Sequence, residues 1–227
     1  MRFLTTSSAL FAGAMFTVQM HATEGPAFCC CSDAKPDSRN VVHPTAEETS
    51  PLPEGSPIPE LEHLRNPEGE TVELADLAND GSLVLVFYRG GWCPFCNVHL
   101  GELAQAQPQL KEAGVSVVGV SPDSPETLAA YGEEHDLPYL LLSDNRHEAM
   151  KAFGIAFAVD AETNEMLIGH GMDLSAASGN PELVLPVPSV FVINTEGIVT
   201  FAHANPDYRE RLSGEEVLEA ADVPLNE

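Results

Sequence analysis

Two cysteines three residues apart, in Cys93-Pro94-Phe95-Cys96, are the residues of this chain best placed to do chemistry. A buried-strand pattern ends just before them, Gly90 and Gly91 turn the chain, and Pro94 stands at the first position of a helix, where proline is tolerated. An offset of three puts both sulfurs on one face of the first helical turn, within reach of a small-ring disulfide. The unpaired amides and partial positive charge of a helix N-terminus favour a thiolate at Cys93. Cys93 is therefore read as the solvent-facing nucleophile and Cys96, a turn deeper, as its resolving partner. A zinc half-site is the competing reading. It would need two further thiolates or imidazoles at ligand spacing, and there is no second CxxC, while His99 alone does not complete a set. No metal or other cofactor is implied.

The elements that must carry this dithiol read as one α/β domain over residues 58–227. Ser82–Tyr88 (SLVLVFY) is a continuous apolar, β-branched run of the kind that makes a buried strand. A helix from Pro94 keeps Val98, Leu100, Leu103 and Leu110 apolar and stops at Gly114. Val115–Ser121 is a second strand, Ser124-Pro125-Glu126 opens a second helix, and residues 138–144 (PYLLLSD) hold a third strand. A short helix follows from Glu148 to Phe153. Ser189–Asn194 and the IVTFAHA segment after the Thr195-Glu196-Gly197 turn form an antiparallel hairpin. A closing helix, residues 213–221, is capped by Ser213. The order is βαβαβ and then ββα.

Upstream, the composition changes twice. Arg2 is the only charge before an apolar run from Phe3 to Val18, followed by Gln19-Met20-His21-Ala22, so residues 1–22 read as a secretory signal peptide and the protein as exported, to a periplasm or the extracellular medium. The run is too short and too rich in Ser, Thr and Ala for a membrane span. Acylation at Cys29 is the rival reading, weakened by Phe28 where a small residue is wanted. Residues 23–57 read as a disordered proline-rich linker, with five prolines from Pro36 to Pro57. It starts with Cys29-Cys30-Cys31, open to three readings: a soft-metal site, an auxiliary thiol store or a tail with no role.

With 35 acidic side chains against 10 basic ones, the chain carries a formal charge of −25. That excludes phosphate-backbone binding, which depends on clustered Lys and Arg, and disfavours anionic membrane surfaces. The acidity serves solubility or a salty medium. At 44% hydrophobic the chain can build a core. The eight histidines form no cluster; His170 and His203 could reach the dithiol, but surface positions suit them better.

YRGGWCPFC and PDYRER, with GETVELADL (Gly69–Leu77), VVGVSPDSPET, LLLSDNRHEAMKAFGI and LPVPSVFVINTEGIVTFAHA, make the chain resemble the peroxiredoxin-like branch of the alkyl hydroperoxide reductase and thiol-specific antioxidant superfamily that carries a CxxC. The resemblance covers residues 55–222. It implies a thioredoxin-like fold, a central mixed sheet flanked by helices, with GETVELADL as a loop leading into the first core strand. It also implies a thiol peroxidase: Cys93 attacks a hydroperoxide, Cys96 closes the disulfide, and a thioredoxin-like donor reduces it. Oligomers are common in such relatives.

Two departures bear on the mechanism. Peroxiredoxins place threonine or serine three residues before the attacking cysteine, where this chain has Gly90, and arginine at the start of a late strand, where it has Pro188. Arg89 is the candidate replacement for that cation, with Arg209 and Arg211 as further candidates. Val187-Pro188 resembles instead the cis-proline of thioredoxin, which would set backbone beside Cys93 for an extended thiol substrate. Trp92, Val187 and Pro188 are thus the candidate substrate-binding residues. The alternatives to a peroxidase are an exported protein thiol–disulfide oxidoreductase of thioredoxin type and a binding module that keeps its cysteines for structure.

Overall fold

Alternate residues of one strand divide the interior into two layers. In β1 (Ser82–Phe87), Leu83, Leu85 and Phe87 face one side and Val84 and Val86 the other, as the two-residue period of a strand requires. All are buried, so β1 has helices on both faces. The computed structural model describes residues 40–225. Before β1 lies α1 (Leu74–Asp80). After it come α2 (Pro94–Glu112), β2 (Val115–Ser121), α3 (Pro125–His135), β3 (Leu140–Ser143) and α4 (Glu148–Ala152). The middle of the chain supplies β4 (Ala156–Ala158), α5 (Ala161–Gly169), α6 (Leu174–Ser178) and β5 (Val184–Pro186). It closes with β6 (Ser189–Ile193), β7 (Val199–Ala204) and α7 (Gly214–Ala220).

The main sheet has the order β3-β2-β1-β6-β7. β1 runs parallel to β2, and β2 to β3, while β6 is antiparallel to both β1 and β7. This is the mixed sheet expected of a thioredoxin-like fold. One face packs α1 and α4 through Leu74, Ala78, Ala149 and Met150. The other packs α2 and α7 through Leu103, Ala106, Leu110, Val217 and Leu218. β4 and β5 form a separate antiparallel pair. No helix among the described residues is long and apolar enough to cross a membrane.

Three expectations change. GETVELADL was expected as a loop, but Leu74–Asp80 is helical, because Leu74 and Ala78, one turn apart, are both buried against the sheet. The linker expected through residue 57 ends earlier. From Asn40 the chain lies on the domain: the His43 amide donates to the Ala156 carbonyl and the Ala158 amide to that of His43, while Leu52 is buried in the core. Its prolines tolerate this because the segment adds isolated bridges at strand edges instead of a central ladder. The segment from Ala156 to Pro186, for which the sequence pattern gave no elements, holds the second sheet and two helices. Residues 1–22 and Cys29–Cys31 lie outside the described residues.

At α7, the Ser213 hydroxyl accepts from the Glu216 amide at 3.2 Å, and the Glu216 carboxylate accepts from the Ser213 amide at 2.8 Å, a reciprocal capping box. Ser213→Ala should lower unfolding free energy by about 1 kcal/mol, read as a lower urea midpoint with unchanged slope.

Candidate active site

The dithiol sits where β1 ends. Tyr88 continues the strand, its amide donating to the Val120 carbonyl, and the chain then turns through Gly90 and Gly91. Gly90 has φ +141°, and a Cβ there would lie 2.3 Å from Trp92 Nε1 and 2.9 Å from Asp123 Oδ1. Threonine therefore has no room at this position, which gives the departure from the peroxiredoxin pattern a steric cause. The Gly91 amide donates to Asp123 Oδ2 at 2.9 Å, and the Gly91 carbonyl accepts from Asn97 Nδ2 at 2.9 Å. The Tyr131 hydroxyl donates to Asn97 Oδ1 in turn. Cys93 is the N-cap of α2 with Pro94 at its first turn, and its amide closes the turn onto the Gly90 carbonyl.

Both cysteines are free thiols. Each is only 1% exposed, so Cys93 does not face solvent as the sequence suggested; the turn and the aromatic side chains around it cover both sulfurs. Their acidities diverge. Cys93 is pulled down to about 6, first by a hydrogen bond from the Cys96 thiol, then by the Cys96 amide and the Arg89 and Arg211 charges, all against burial. Cys96 is pushed well above the usual thiol range, chiefly because it is the donor in that hydrogen bond and because it is buried. One proton is thus held on Cys96 and a negative charge on Cys93.

Two arginines face this pair. Arg89 is buried with its guanidinium carbon 4.9 Å from the Trp92 ring centre and 4.3 Å from that of Tyr208, and its Nε has no hydrogen-bond partner. Arg211 reaches in from the segment before α7, with Nη2 3.9 Å from Cys96 Sγ. Arg209 is gripped by Asp207 at 2.8 and 2.7 Å. Tyr208 also meets Phe95 edge-on at 5.6 Å. Beside these groups lies a groove of about 440 Å³ lined by Phe95, Val98, His99, Glu102, Arg209 and Arg211 among others.

Of the sequence candidates, Cys93, Cys96, Arg89 and Trp92 come together, and Arg211 joins them. Val187 and Pro188 lie next to the Phe87–Ser189 pairing, at the end of the sheet from which the dithiol emerges. The expected cis bond between them is trans. The Val187 amide already donates to the Ile155 carbonyl, and its carbonyl accepts from the Ser189 hydroxyl. The Pro188 carbonyl accepts from the Asn205 amide. That backbone is occupied by the protein itself. Tyr88 is core, as expected. His170 is exposed and hydrogen-bonded to the Met166 carbonyl.

Sequence reasoning missed Asp123, Tyr208 and the burial of His99. Asp123, pushed up to about 6 by burial, anchors the glycine turn. Its signal was its place just beyond β2, since sites of open α/β sheets gather at the carboxyl ends of parallel strands. Tyr208 lies in the PDYRER motif, but nothing in that motif singled it out as a partner of Arg89.

With the Cys96 hydrogen bond as the leading cause of its lowered pKa, thiolate absorbance of reduced Cys93 should titrate near pH 6. In Cys96→Ala the midpoint should move upward by at least about one unit, towards the free-thiol value.

The AhpC/TSA family model matches residues 55–202. Peroxiredoxin Bcp of Bacillus subtilis is 36% identical over 101 residues, covering 44% of this chain and 63% of that protein. Peroxiredoxin Bcp of Escherichia coli is 38% identical over 107 residues, 47% of this chain and 67% of the relative. The match thus spans just under two thirds of the Bacillus protein's length. Among solved structures, peroxidoxin BcpB from Mycobacterium tuberculosis superposes with a TM-score of 0.59 at 21% identity, covering 75% of this chain and 95% of that one. Reduced Prx3 from Vibrio vulnificus, solved in complex with hydrogen peroxide, gives 0.61 at 21% identity, over 75% and 99%. These structures share its thioredoxin-like fold, and by the family match this chain belongs to the AhpC/TSA family.

Proposed function

We propose that this protein is a thiol-dependent peroxidase that reduces hydroperoxides through a Cys93–Cys96 dithiol–disulfide cycle. The observation that carries the reading is the pairing of a stabilised Cys93 thiolate with a proton-bearing Cys96, both residues only 1% exposed. A small oxidant can reach a nucleophile so covered without displacing the groups around it, whereas any protein thiol or disulfide must first open the site. The trans Val187–Pro188 bond and its engaged backbone also favour the peroxidase over exchange with an extended peptide.

The Cys93 thiolate attacks the terminal peroxide oxygen; the O–O bond breaks, the alcohol leaves with a proton, and Cys93 becomes a sulfenic acid. Cys96 sulfur then attacks Cys93 sulfur; hydroxide departs with the Cys96 proton as water and the disulfide forms. Arg89, buried beside the dithiol with an unpaired Nε, supplies the cation for the departing oxygen that the late strand lacks at Pro188. Trp92 holds that guanidinium in place through its ring. A thioredoxin-like dithiol donor returns the pair to the reduced state. The names of the Bcp relatives support this assignment. Residues 1–22 support an exported location, where that donor must also be present.

Mixing reduced protein with hydrogen peroxide and following Trp92, the single tryptophan, should give fast oxidation that is absent in Cys93→Ser. Cys96→Ser should oxidise once and fail to turn over. Oxidation of the native dithiol no faster than that of a free cysteine would overturn the reading.

A further inference from the structure

The acidity pattern that makes Cys93 reactive creates a difficulty for the return half of any dithiol cycle. When a donor thiolate attacks Cys93 Sγ in the disulfide, Cys96 must leave as a thiolate, and thiols that resist ionisation leave slowly. Cys96 is buried and strongly resists it. Something must take up the charge that appears on its sulfur.

We propose that Arg211 is a catalytic residue of disulfide reduction, its guanidinium stabilising the charge that develops on Cys96 Sγ as the Cys93–Cys96 bond breaks. Nη2 already lies 3.9 Å from that sulfur, and Nη1 donates to the Glu210 carbonyl at 2.8 Å, which fixes the direction of the head. Among the described residues Arg211 forms no ion pair with a carboxylate, whereas Arg209, two residues away, is neutralised by Asp207. In a chain of formal charge −25, a cation left unpaired and half-buried against a sulfur is a specific arrangement. Its field is felt in the interior. His99, one turn beyond Cys96, is held neutral, its imidazole pulled down to about 4 by burial and then by the Arg211 charge. A neutral His99 therefore does not serve as the charge partner for the leaving sulfur, and Arg211 is left to do so.

The step balances without further reagents than a dithiol. One donor sulfur bonds to Cys93 Sγ while the Cys93–Cys96 bond breaks and its electron pair passes to Cys96, beside Arg211. The second donor thiolate then attacks the first, releasing Cys93 as a thiolate. The donor leaves oxidised by two electrons, and Cys96 takes up a proton. Arg89 and Arg211 thus divide the cycle: one faces the oxygen that departs during oxidation, the other the sulfur that departs during reduction.

The inference rests on the preceding reading only in needing Cys93 and Cys96 to form a disulfide, and diamide can impose that without any peroxide. The test uses the full chain with Cys29, Cys30 and Cys31 replaced by serine, oxidised with diamide and reduced with dithiothreitol at pH 7 under stopped flow, with Trp92 fluorescence as the signal. Arg211→Met should slow reduction about tenfold, the loss of one hydrogen bond to a charged group. Arg211→Lys, which keeps the charge, should stay within about threefold of the parent. Reduction of Arg211→Met as fast as the parent, or faster because the sulfurs have become more open, would overturn the proposal. So would an Arg211→Lys variant as slow as Arg211→Met.

Discussion

One shared proton organises this molecule. The hydrogen bond from the Cys96 thiol to the Cys93 sulfur, made across the first turn of α2, is the leading influence that favours a Cys93 thiolate against the effect of burial. It holds only if the chain enters α2 at the right angle. That angle is set by two glycines, by the Asp123 carboxylate that receives the Gly91 amide, and by Asn97, which binds the Gly91 carbonyl from within the helix. Asp123 is positioned by the end of β2 and by the Ser121 hydroxyl, 3.1 Å from its Oδ2. The parallel pairing of β1 with β2 is thus what brings the anchor to the turn.

The balance of forces at the two sulfurs has the same origin and opposite outcomes. Burial raises the pKa of both. At Cys93 the hydrogen bonds and the two arginine charges outweigh it; at Cys96, donating the proton adds to it. Removing charged groups from water is costly unless they are paired, and the site meets that cost with few components. Arg89 is desolvated against two aromatic rings instead of a carboxylate, which leaves its charge available to the reacting groups. A carboxylate partner would have cancelled it.

Much of the fold was legible because its central strands are continuous apolar runs and its helices begin at recognisable caps. Val115–Ser121 emerges with the bounds its sequence suggests, and Ser213 caps α7 as expected. α1 escaped notice because a helix of seven residues needs only two buried positions, too few for a period to show. The Cys93–Cys96 pair and Arg89 were legible because their neighbours in sequence are also their neighbours in space. Arg211 was legible only as one of two candidates, since sequence could not separate it from Arg209, and Tyr208 was not singled out at all, because both reach the site through tertiary packing from a segment without periodicity. The cis-proline expectation failed for a related reason. A Val-Pro pair before a strand fits both a trans and a cis bond, and the local sequence does not announce what engages its backbone: Ile155 accepts from the Val187 amide, while the Ser189 hydroxyl and the Asn205 amide donate to the Val187 and Pro188 carbonyls.

The stretch from Asn40 to Arg65 has a bearing on how the molecule meets copies of itself. Sheet margins are templates for adding strands from other chains. Here the margin at β3 is met by Arg65, which exchanges both backbone hydrogen bonds with Ser143, and the start of β7 by Ser56, Pro57 and Ile58. The strap carries Pro51, Pro53, Pro57 and Pro59, each lacking the amide that a further strand would need. It therefore closes two docking positions and offers a poor template in their place. Strand addition at those two positions would first have to displace the strap, most of which reads in the sequence as a disordered linker.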